Sequence, residues 1–96
     1  FRNYAVGKIR EADCEPALSY FQRIRSDRLP LFLQIQQRLD EARCFIKLSQ
    51  PAKARDSMKR AEQLRDGRPE FNLAFQQAIR LEPALGHRLD IDPVSP

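Results

Sequence analysis

Apolar residues recur along this chain every three or four positions, and prolines cut the pattern into segments. Phe1, Tyr4, Ala5 and Ile9 mark a first apolar face, and Ala17, Phe21 and Ile24 a second. Phe32, Ile35, Leu39, Ala42 and Ile46 mark a third, Ala54, Met58, Ala61 and Leu64 a fourth, and Phe71, Ala74, Phe75 and Ala78 a fifth. That spacing places each set on one side of an α-helix. Pro16, Pro30, Pro51 and Pro69 each precede a run of helix-forming residues, and Pro83 follows one. Proline suits the first helical turn, where its missing N–H has no intrahelical partner and its φ is already set. The pattern therefore predicts five helices, over about 2–12, 16–26, 30–48, 51–65 and 69–82. Gly67, within Arg65-Asp66-Gly67-Arg68, stands where the fourth should stop. No stretch sustains the alternation a strand needs, and Arg, Gln, Glu, Leu, Lys and Ala dominate the segments. Links of two to five residues make neighbouring helices antiparallel. The expected fold is all-α, a helical domain over 1–85 followed by an aperiodic tail over 86–96.

An internal repeat sharpens this expectation. Ala17, Phe21 and Ile24 reappear 37 residues later as Ala54, Met58 and Ala61. Upstream of Ala54, Ala42 and Phe45 supply a small residue and an aromatic. Segment 42–61 resembles the centre of a tetratricopeptide repeat, whose second helix carries a small residue, a bulky one four later and an apolar one three later. Val6-Gly7 looks like that family's Leu-Gly pair, although its aromatic position falls on Arg10. The departures are a period of 37 rather than about 34, and Arg38 and Glu41 where the family prefers large apolar side chains. The resemblance covers roughly 4–65 and implies antiparallel hairpins stacked as a short right-handed superhelix. It makes 69–82 a capping helix over the third and fourth. Ala42 and Ala54 would let two backbones approach closely, with Phe45 and Met58 filling the space between hairpins.

Charge adds a partner class. Thirteen of the 17 basic residues are arginine, and the net charge is +4. Residues 1–68 hold 15 basic and 9 acidic groups, against 2 and 4 in residues 69–96. A basic body favours an acidic partner surface, or nucleic acid at low specificity. No apolar run reaches the roughly 18–20 residues of a membrane span, so no membrane partner is expected. The chain opens on Phe1, as expected of a piece of something longer. Cys14 and Cys44 form no CxxC pair, and His87 is the single histidine, so no zinc site is expected. Two cysteines could make one bridge in a secreted protein. With no secretion signal and no dense cysteine framework, both read as reduced thiols, Cys44 as a small core residue beside Phe45. That places the chain inside the cell, in the cytoplasm or nucleus.

Catalysis is not expected. No nucleophile–base pair, carboxylate dyad in an apolar setting or glycine loop is present, and His87 falls in the tail. No cofactor is implied. The resemblance instead implies a scaffold or adaptor, with the third helix lining a concave binding face. There Gln34, Gln37, Arg38, Glu41 and Lys47 would meet a protein or peptide partner of acidic character. The carboxylate clamp of some relatives is not carried over, because Asn3 and Asn72 lie at the wrong places. The alternative is nucleic-acid binding through Arg23, Arg25 and Arg28 together with Lys53, Arg55, Lys59 and Arg60.

Overall fold

The computed structural model describes residues 11–24 and 26–87. All regular structure among them is helical: α1 (Glu11–Arg23), α2 (Leu31–Lys47), α3 (Pro51–Arg65), α4 (Asn72–Leu81) and the single turn α5 (Ala84–His87). Short 3-10 turns, Ser26–Arg28 and Pro69–Phe71, precede α2 and α4. The helix expected over 2–12 lies outside the described residues, apart from its last two positions.

Two prolines act as expected and two do not. Pro30 caps α2, its carbonyl accepting from the amides of Leu33 and Gln34 at 3.0 Å each. Gln34 Nε2 donates to Leu29 O at 2.8 Å and ties the incoming chain to the first turn. Pro51 opens α3. Pro16, however, lies inside α1 rather than at its start, and α1 stops at Arg23 instead of reaching 26. Pro69 starts a 3-10 turn, so the α-helix proper begins three residues later than expected.

The α2–α3 link is built by hydrogen bonds at the helix end. Gln50 N donates to Phe45 O at 2.8 Å and Ser49 N to Ile46 O at 3.0 Å, the paired bonds of a Schellman motif. Ser49 takes the left-handed conformation at φ 60° that this motif requires. Three linking residues then leave α3 no course but antiparallel to α2. At the far end Asp66 (φ 49°) and Gly67 (φ 74°) are both left-handed, which stops α3 where Gly67 predicted.

The core has two parts. Ile35, Leu39 and Ala42 of α2 pack with Ala54, Met58 and Ala61 of α3, and Phe75, Ala78 and Leu85 close over them. Ala42 and Ala54 are wholly buried, as a close α2–α3 approach requires. Phe45 is only half-buried and packs at the edge of this cluster. Arg65 fastens α4 to the end of α3: its Nη1 donates to Asn72 Oδ1 at 2.9 Å, and its guanidinium lies 4.6 Å from the Phe75 ring centre. Gly86 and His87, expected in the tail, belong to α5 instead. An added Cβ on Gly86 would sit 3.1 Å from Ile79 Cγ2, so glycine lets this turn lie close on α4.

The second, smaller cluster holds α1 on α2 through Cys14, Ala17, Phe21 and Cys44. Here the expectation of reduced thiols fails. Cys14 and Cys44 are joined by a disulfide, their Cα atoms 5.2 Å apart, and both residues are completely buried. Packing α1 across α2 brings residues thirty apart in sequence within bridging distance.

Candidate functional site

Between α2 and α3 lies an open groove of about 480 Å³. Arg38 and Glu41, one turn apart, line it from α2; Asp56, Ser57, Lys59, Arg60 and Gln63 line it from α3. Arg38 Nη1 donates to Glu41 Oε1 at 2.9 Å, and the two side chains keep 25% and 10% of their exposure. This pair explains how two charged residues occupy positions where apolar ones were expected. Each supplies the other's counter-charge, so a partly enclosed carboxylate remains satisfied. Lys59 and Arg60 differ: both are exposed, and neither has an ion-pair partner among the described residues.

The other residues expected to meet a partner are used internally. Gln34 serves the start of α2. Gln37 is buried at 5% exposure, its Nε2 donating to Phe21 O at 3.3 Å, because α1 covers that side of α2. Glu41 is also buried, with only its groove edge open. Lys47 Nζ lies 3.4 Å from Glu82 Oε1, an ion pair without hydrogen-bond geometry. Of the five expected residues the groove gathers only Arg38 and Glu41, and it adds α3 residues that had been assigned to the nucleic-acid alternative.

Behind the groove lies a buried charged layer. Arg43 retains 1% exposure, Asp40 4% and Glu82 8%. Arg43 Nη1 approaches Asp40 Oδ1 to 3.7 Å, and Gln36 Nε2 donates to the same carboxylate oxygen at 3.1 Å. Burial pushes the Asp40 carboxyl up to about 7, against the opposing pull of Gln36 and Arg43. The same burial lowers Arg43, which Asp40 and Glu82 counter. Glu82 follows the last turn of α4, so Arg43 and Lys47 draw the α4–α5 corner onto α2.

A second hollow, of about 210 Å³, lies between α1 and the α2–α3 turn, lined by Glu15, Leu18, Ser19, Gln22, Phe45, Leu48, Gln50 and Lys53. Lys53 Nζ stands 5.8 Å from the Phe45 ring centre there. Among the described residues no group of three His, Cys, Asp or Glu side chains is placed to hold a metal ion. No described helix is long and apolar enough to cross a membrane. In comparisons with family models, curated proteins and solved structures, the chain finds no match.

Proposed function

We propose that this chain is a non-catalytic protein-interaction module, a scaffold or adaptor piece that holds a peptide or helical segment of a partner along the α2–α3 hairpin. The observation that carries the reading is the open groove with side chains of both helices along it. Its position over a rigid hairpin matters, because a preformed concave site spends little free energy on ordering itself. The reading includes a tetratricopeptide-like hairpin. Buried Ala42, Ala54, Met58 and Ala61 at the small and bulky positions support it, and the Arg38–Glu41 pair is its departure. The Cys14–Cys44 bridge favours an oxidising compartment over cytoplasm or nucleus, since disulfides persist where glutathione does not reduce them.

A photo-reactive residue at Gln63, in the groove, against one at Gln76, exposed on α4, tests this reading. In the native extract, Gln63 should yield protease-sensitive crosslinks that Gln76 does not. Equal crosslinking at both positions, or nuclease-sensitive products from Gln63, would overturn it.

A further inference from the structure

We infer that the α3 side of the groove selects an acidic polypeptide segment, with Lys59 and Arg60 as its anchors; this rests on the interaction reading above and narrows its partner. Arg38 and Glu41 bond each other at 2.9 Å, so the α2 wall presents little net charge. The α3 wall carries Lys59 and Arg60 against a single carboxylate, Asp56. Both cations are exposed and have no ion-pair partner among the described residues. A carboxylate arriving from a partner would find a charge-assisted contact at each without displacing an internal one.

The mixture of signs separates polypeptide from nucleic acid. Asp56, set among the cations of the α3 wall, would repel a continuous run of phosphates. A polypeptide presents amide N–H groups as well as carboxylates, so it can answer both signs. The lining of this groove contains no aromatic ring on which a base would stack. Size agrees. Asp56 to Gln63 rises about 10 Å along α3, the reach of about three extended residues or two helical turns. The occupant is therefore a short acidic motif rather than a broad surface.

The test titrates the intact chain, isotopically labelled, with a short peptide carrying paired glutamates, its glutamine counterpart and single-stranded oligothymidylate. Amide shifts from the acidic peptide should cluster over Asp56–Gln63, and the glutamine peptide should leave them unmoved. Lys59→Ala with Arg60→Ala should weaken the acidic peptide at least about tenfold, as loss of a charge-assisted contact does. Arg80→Ala, exposed on α4 and outside the groove lining, should change it less than about twofold, because an exposed charge that makes no contact is largely screened by salt. Circular dichroism of the double variant should match the parent, which separates lost binding from lost folding. Binding unaffected by the double substitution, or oligothymidylate moving the same amides, overturns the inference. Shifts from either peptide on another face overturn it too, but leave the interaction module standing. If neither peptide moves any amide, the inference falls, and the interaction module stands or falls on the crosslinking at Gln63 alone.

Discussion

The disulfide offers the sharpest energetic prediction. It closes a loop of thirty residues between α1 and α2. The chain-entropy relation assigns such a loop about 12 cal/mol/K, or about 3.6 kcal/mol at 25 °C. That is a large share of a stability expected at roughly 5–15 kcal/mol. Besides the bridge, α1 rests on the small cluster around Ala17 and Phe21 and on the Gln37-to-Phe21 hydrogen bond. Loss of the bridge should therefore act first on α1. With a urea slope of about 1–3 kcal/mol/M, reduction should lower the midpoint by about 1–4 M. Cys14→Ala with Cys44→Ala should do the same in the absence of reductant. Hydrogen exchange should show α1 amides losing protection while the α2–α3 core keeps its own. Equal midpoints for oxidised, reduced and doubly substituted protein would refute the reasoning. So would two titratable thiols in protein unfolded without reductant.

Three further outcomes follow from buried groups. Ala42→Leu or Ala54→Leu, both at sites with no exposure, should each cost about 1–3 kcal/mol by overpacking; thermal melts matching the parent would contradict the close hairpin contact. Arg38→Glu should also lower stability, by about 1–3 kcal/mol, because it faces the mostly buried Glu41 carboxylate with a second one; Arg38→Gln should cost less, and equal melts for both would dismiss the ion pair. Asp40 makes stability depend on pH with a defined sign: its folded value of about 7 exceeds 3.8, so the folded state binds the proton more tightly. Its contribution is whole below about pH 4 and lost as pH rises through about 7, with a ceiling of about 4 kcal/mol. Denaturation of the parent against Asp40→Asn at several pH values isolates this slope, and parallel curves would refute it.

The α2–α3 hairpin was legible because its signals agree: Pro30 and Pro51 at the starts, Gly67 at the stop, and small residues where backbones meet. Pro16 misled because a proline marks a first turn only when nothing helical precedes it, and the residues before it are helical here. The bridge left a trace that was available. Cys14, Ala17 and Phe21 share one apolar stripe, and Cys44 stands on the face of α2 that this stripe covers. Composition argued for reduced thiols, yet pairing depends on how α1 crosses α2, which no local pattern specifies. Burial of Gln37, Asp40 and Arg43 was likewise hidden. Those positions flank the apolar stripe of α2 and would be solvated in an isolated helix, but α1 and the α4–α5 corner cover them. The groove joins Lys59 and Arg60 of α3 to Arg38 and Glu41 of α2, while Gln37 and Lys47 are engaged by the fold itself.

Hydrogen exchange of the crosslinked complex, compared with the free protein, addresses the central proposal most directly. If a partner occupies the hairpin groove, amides of α3 around Asp56–Gln63 and of α2 around Arg38–Glu41 should exchange more slowly in the complex. The outer side of α4, around Gln76 and Arg80, should exchange as it does in the free chain. Protection confined to α4, or absent from both walls of the groove, would contradict the account.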